Sequence, residues 1–314
     1  MTLGALTERK QDRLDRLAAA SAESGGASLL MDALRRLVRS PVAIVGGAII
    51  AAFVLLAAFA PLLAPHDPGV RYDELIDLGT ASHIPDHAPG FPLGADNLGR
   101  DLLSRLIYGS RQTLFVGVAA TLMGLFVGVV LGGIAGALGG WVDAVLMRLT
   151  DVMLAIPSLL LAISLAALAS RPNQWTVIIA VATIAVPIFA RLLRGSMLAQ
   201  RESDHVLAAR ALGVREHTIV LRHMLPNAMS PVLVQATLTL AVAILDAAAL
   251  SFLGLGDQDT HRAEWGLMLG EAQRYLDVRP GLAIYPAVAI VIVALGFTLL
   301  GESMREALDP KNRR

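Results

Sequence analysis

Residues able to do chemistry are sparse in the apolar parts of this 314-residue chain, and two carboxylates stand out there, Asp151 and Asp246. An acid in such surroundings is costly unless it faces water, an opposite charge or a proton. It therefore marks either a solute pathway or a satisfied contact between helices. Both roles stay open for Asp246. Arg148 stands three positions before Asp151, on the same face of a helix, so those two are expected to pair with each other. No reactive constellation accompanies the acids. Cysteine is absent, which excludes a disulfide scaffold, thiolate metal sites and a cysteine nucleophile. Neither H-E-x-x-H nor G-x-S-x-G occurs. Of 26 basic residues only Lys10 and Lys311 are lysine, and neither follows the glycines of a nucleotide-binding loop. No catalytic residue, metal or cofactor is expected in this chain.

The elements that must hold these residues are membrane helices. The sequence is 55% hydrophobic with a mean hydropathy of +0.62, above the range of a soluble domain. Zero net charge without a basic, aromatic-rich stripe argues against nucleic acid as a partner and leaves lipid as the surroundings. A bilayer core about 30 Å thick needs roughly 20 apolar helical residues. Such runs occur near 42–64, 112–136, 146–168, 176–196, 232–254 and 281–301. The expected fold is all-α and polytopic, with six spans. The first run follows a polar tail of 40 residues and reads as a retained span, not a signal peptide. Within that tail, Leu14 and Leu17 among basic residues allow either a short amphipathic helix or a disordered segment.

With the N-terminus inside, inner segments carry 18 Lys and Arg residues and outer segments 8. This asymmetry places both termini in the cytoplasm of a cell-membrane protein. The loop between spans four and five is then cytoplasmic and the most basic internal loop. Gly124, Gly128, Gly132, Gly136 and Gly140 recur every fourth residue along span two, a smooth face that lets another helix approach closely. Pro157, Pro187 and Pro286 fall inside spans three, four and six, where each favours a kink.

Four stretches go beyond physical pattern. They are FPLGADNLGRDLLSRLIYGSRQTLFVG from Phe91, GGWVDAVLMRLTDVMLAIPSLLLAI from Gly139, LSFLGLG from Leu250 with EWGLML from Glu264, and HVLAARALGVREHTIVLRHMLPN from His205. Together they resemble the C-type permease subunits of dipeptide and oligopeptide ABC importers, in order and over nearly everything from span one onward. The resemblance implies the transmembrane domain of a type I importer. It also implies a heterodimer with a related permease, two cytoplasmic ATPase subunits or domains that bind ATP and Mg, and an extracytoplasmic binding protein delivering peptide. The stretch from His205 resembles the loop by which such permeases contact their ATPases. Ala208, Ala209, Gly213, Leu225 and Pro226 match its pattern, while Leu207 stands where Glu is usual and His223 where Ile is usual; Arg210 lies between the matching alanines and glycine. The loop also has a reading without the family. Residues 205–212 are strong helix formers, Gly213 is placed to end that helix in a left-handed conformation, and Pro226 can open the next helix. A short helix, a sharp turn and a second short helix would make a knob, smooth on its alanine side, for a cleft in another protein. The family has an acid where this chain has Ala247, one position from Asp246, an offset of about 100° around the helix.

The expected organisation is a cytoplasmic tail to 40, the first span and outer loop over 41–111, an importer core over 112–303 with its coupling loop at 200–227, and a cytoplasmic tail over 304–314. A nickel chelate or a sugar remains open as the cargo. An ion-coupled secondary transporter would need more buried ionisable groups than Asp151 and Asp246 supply.

Overall fold

Inside a bilayer no water is present to satisfy the backbone, so each apolar run closes its own hydrogen bonds as a helix. A computed structural model describes residues 36–308 apart from 74, 76–83 and 260. The expected amphipathic stretch at Leu14 and Leu17 and the C-terminal residues beyond 308 lie outside the described residues. The helices are α1 (Pro41–Ala58), α2 (Ala60–Leu63), α3 (Leu102–Leu138), α4 (Gly140–Ala155), α5 (Ser158–Ala166), α6 (Gln174–Arg201), α7 (Asp204–Ala211), α8 (Glu216–Ile219), α9 (Leu225–Phe252), α10 (Trp265–Ala272) and α11 (Gly281–Leu308). Among the described residues the only β pairing is two isolated bridges. Among the described residues, five helices are long and apolar enough to cross a membrane: α1, α3, α6, the continuous run from Glu216 to Phe252, and α11.

A sixth span, expected over 146–168, is present as a broken pair. Helices α4 and α5 meet at 94°. Ile156 is extended, at φ −88° and ψ 132°, and Pro157 carries ψ 128° as the N-cap of α5. A residue before proline is pushed out of the helical region, so the break belongs to that dipeptide. In contrast α6 and α11 run through Pro187 and Pro286 as single helices. Helix α3 starts at Leu102, ten residues before the expected 112, because Asp101 caps it by accepting from the Leu103 and Ser104 amides. At 37 residues it is about 55 Å long and extends well past a bilayer core.

Helix α6 is central and α1 peripheral: 67% of the most apolar stretch of α6 is buried, against 17% in α1. The most extensive helix contact is between α3 and α6. Gly124, Gly128, Gly132 and Gly136 form its seam; a Cβ on Gly124 would lie 2.8 Å from the Ala185 Cβ, and one on Gly136 2.9 Å from that of Met197. Gly140 does not belong to it. The chain turns at Gly139 and Gly140, both with positive φ, and a Cβ on Gly140 would meet nothing within 4 Å. Three apolar clusters stack along the bundle. One surrounds Trp265 at the end bearing the 65–101 segment. The second joins α3, α5, α6 and α9. The third lies at the opposite end, between α6 and the α7–α8 loop.

Candidate functional site

The loop after α6 is built as a capped turn. Gly213 takes φ +76°. Its amide donates to the Arg210 carbonyl at 2.9 Å, and the Val214 amide to that of Ala209 at 3.1 Å. This pair of bonds is the Schellman closure, which places a residue without Cβ at the left-handed position. Across the turn the Arg210 guanidinium donates to Glu216 at 2.8 Å. The second half is not a separate short helix as expected. From Glu216 the chain passes through a π-helical turn, Val220–Met224, straight into α9. The Leu225 amide there donates five residues back to Val220, just before Pro226, which has no N–H to offer. His223 sits in that turn, and its carbonyl accepts from the Asn227 side-chain Nδ2 at 2.7 Å.

The alanine face also differs from expectation. Ala209 is buried together with Val206 against Phe189, Met197, Ile219 and Met224, so it holds the loop onto the bundle. The outward face consists of Leu207, Ala208, Ala211 and Leu212. Leu212 is 84% exposed.

Asp151 and Arg148 are not paired with each other. Asp151 on α4 pairs instead with Arg191 on α6, and both side chains are about half exposed. One salt bridge nearer the loop end, Arg194 grips Asp143 through both carboxylate oxygens, and this second α4–α6 pair is the better buried. The reason is geometric: α4 packs along α6, which sets acids of one helix opposite arginines of the other, while Arg148 is exposed and makes no ion pair among the described residues. Arg191 lines a cavity of about 620 Å³ together with Leu154, Ile188, Leu192, Pro231 and Gln235. A second cavity of about 510 Å³ shares Leu192, Pro231 and Gln235 and continues to Arg305. The two make one groove between α4, α6, α9 and α11. Asp246 is not part of it. It is half-buried on α9 without an ion pair or hydrogen bond among the described residues, about 16 Å further along the helix than Gln235.

Sequence reasoning missed a buried charge network at the opposite end. Arg100 binds Asp96 at 2.5 Å and Glu271 at 2.8 Å, and Arg105 reaches the same two acids at 3.2 Å. Both arginines are essentially inaccessible. Nearby, the Arg279 guanidinium donates to the carbonyls of Pro85, Leu93 and Ala95, and Ser104 and His66 converge on Asp101. Glu264, also buried, accepts from the Ser251 hydroxyl at 2.7 Å. Burial raises its pKa to about 7, the Ser251 bond opposes this, and Asp257 adds to it. The spacing of Asp96, Arg100 and Arg105 just ahead of an apolar run was the available signal. Charges abutting a span need partners, and here one, Asp96, is local while the other, Glu271, comes from more than 160 residues away.

Among the described residues, five long apolar helices, one bent pair and a surface loop closed at a glycine are the build of a polytopic membrane protein. The model of the binding-protein-dependent transport system inner membrane component matches residues 128–314, and that of the N-terminal TM domain of oligopeptide transport permease C matches 28–83. The chain belongs to this family, as a C-type permease subunit of the dipeptide and oligopeptide ABC importers. It is 40% identical over 280 residues to the dipeptide transport system permease protein of Alkalihalophilus pseudofirmus, covering 89% of each chain. It is 38% identical to the glutathione transport system permease protein of Pectobacterium atrosepticum, covering 88% of this chain and 89% of that one. In fold it resembles the MetNI methionine ABC transporter in inward-facing conformations, with a TM-score of 0.54 at 19% identity over 65% of this chain and 96% of that one. The architecture is that of a type I ABC importer's transmembrane domain.

Proposed function

We propose that this chain moves di- or oligopeptides inward across the cytoplasmic membrane as one of two related permease subunits. ATP and Mg are bound by two cytoplasmic ATPase subunits or domains, and an extracytoplasmic binding protein delivers the cargo. Both termini and the loop from His205 to Asn227 face the cytoplasm, and that loop is the ATPase contact. Residues 41–111 serve as a peripheral helix and outer loop beside a core over 112–303. The observation that carries the reading is the outward face of α7 and its turn: an apolar patch at Leu207, Ala208 and Leu212, on a backbone fixed by the Gly213 closure. Such a face, rimmed by Arg215 and His217, suits a cleft in another protein. Peptide as cargo is supported by the relatives, which are named for dipeptide and glutathione transport. The test is uptake of a labelled dipeptide by vesicles holding this chain with its partner permease, ATPases and binding protein. Accumulation that requires ATP supports the proposal; accumulation driven by an ion gradient without ATP refutes it.

A further inference from the structure

Two arginine–aspartate pairs join α4 to α6, and their surroundings differ. Arg194 holds Asp143 by two bonds and is the more buried pair, enough to keep the helices together. Arg191 and Asp151 are both about half exposed, with Arg191 on the wall of the groove and Asp151 reaching it through their ion pair. Arg191 lies ten residues before the end of α6, about 15 Å from it along the axis, and Asp151 is about 16 Å from the start of α4. Against the expected spans 176–196 and 146–168, each charge stands five residues, about 8 Å, inside the inner end of the core. At that depth, on the wall of an open groove, Arg191 and its partner can face water or a polar ligand. A half-exposed ion pair is held weakly, so a ligand bringing one positive and one negative group can replace each partner's contact with little net loss. The groove, about 620 Å³ and largely open on one side, has room for a small molecule. Its remaining walls are mostly apolar, from Leu154, Ile188, Leu192 and Pro231, with Gln235 as a neutral polar group. Such walls tolerate varied side chains while the ion pair reads what all free peptides share.

We propose that Arg191 and Asp151 form a substrate contact in the translocation pathway, opening so that Arg191 takes the terminal carboxylate of a short zwitterionic peptide and Asp151 its terminal ammonium. This rests on the importer function above. Gln235, at the junction of the two cavities, borders the route from this contact towards Arg305.

The chain has no cysteine, so one introduced thiol reports cleanly. Gly195 is one turn from Arg191 on the same face, lines the same cavity, and has open space where a Cβ would stand. Gly195→Cys is placed in the assembled transporter with cysteine-free partners, and Ser196→Cys on the same wall serves if the first variant does not assemble. Labelling by anionic and cationic methanethiosulfonates is followed without nucleotide. The thiol should react, and a dipeptide with both termini free should slow the reaction about fivefold, the scale of a partly exposed charge contact. The same dipeptide with its carboxylate amidated should protect little. Adding Arg191→Gln should remove the advantage of the free carboxylate and lower the rate of the anionic reagent relative to the cationic one. A thiol that does not react means that protein or lipid covers this face, and the proposal fails. Protection that is absent, or equal for both peptides, or unchanged by Arg191→Gln also overturns it. Peptide uptake measured on the same vesicles separates the two levels: uptake without protection sinks only the ion-pair contact, whereas no uptake by the unmutated complex sinks the peptide-importer function.

Discussion

At Gly213 the backbone adopts φ +76° with open space around it, so a side chain there is penalised by conformation, not by crowding. The cost is roughly 1 kcal/mol or more, greater for a β-branched residue. Gly213→Val should leave the spans inserted but shift the turn and with it Leu212, abolishing peptide uptake or leaving ATP hydrolysis unlinked to it. Normal uptake with ATPases bound would show that this loop does not couple. Ala209 and Leu212 separate two effects that the sequence merges. Enlarging buried Ala209 overpacks the chain's own core, at about 1–3 kcal/mol, and should lower thermal stability. Leu212→Ser should leave stability unchanged and weaken ATPase association in co-purification. Glu264 carries a pH dependence. Its native pKa of about 7 lies above the ordinary 4.5, so between those values the folded state holds a proton that the unfolded chain has released. Stability therefore falls as pH rises from about 4.5 to about 7 and is flat above, a change of roughly 3 kcal/mol at most. Glu264→Gln should flatten this slope in unfolding scans from pH 5 to 8; a slope that persists assigns the titration elsewhere.

The glycine seam shows what spacing alone can reveal about an element. A repeat of four puts Gly124, Gly128, Gly132 and Gly136 on one face, and that face is the one against α6. Gly128→Leu would place a Cβ 2.5 Å from that of Phe189, against a helix rigidly packed in the centre of the bundle. It should sharply reduce folded protein recovered in detergent. Gly133→Ala is the matched control: its nearest neighbour is 3.9 Å away, and alanine gains about 1 kcal/mol of helix propensity, so yield should hold or rise. A Gly128→Leu variant as stable as Gly133→Ala would mean that the seam carries no packing. Spacing failed at Gly140, where the chain had already turned, because periodicity continues past a helix end that positive φ imposes. Hydropathy found the third apolar run and Pro157 marked the place of its bend, but the full 94° break comes from the local geometry before that proline. Arg191 as the partner of Asp151, and Glu271 as the partner of Arg100 and Arg105, were illegible for another reason. Each pairing joins segments far apart in sequence, and only the packing of α4 on α6, or of α10 on α3, decides which charges meet. The turn at Gly213 was legible because its determinants are local.

For the molecule as a whole, the distribution of charge has two distinct uses, and they bear on how the chain sits in the membrane. At the end holding the 65–101 segment, Arg100, Arg105 and Arg279 are buried and bonded to acids or carbonyls. At the other end, Arg215 and Arg222 are exposed, free to oppose translocation during insertion. The count of 18 against 8 then predicts the orientation, and with five long helices and the bent pair counted as one span six crossings would return the chain to its starting side. If α4 and α5 instead dipped in and returned on one face, five crossings would remain and the termini would lie on opposite sides. Reporter fusions distinguish these arrangements. Fusions after Gly4 and after Pro310 should both read cytoplasmic, and one within 71–90 should read external. A cytoplasmic N-terminus with an external C-terminus would convert the broken pair into a re-entrant hairpin and place α6 to α11 in the reverse sense. The 205–227 loop would then be external, where no ATP-driven partner could reach it.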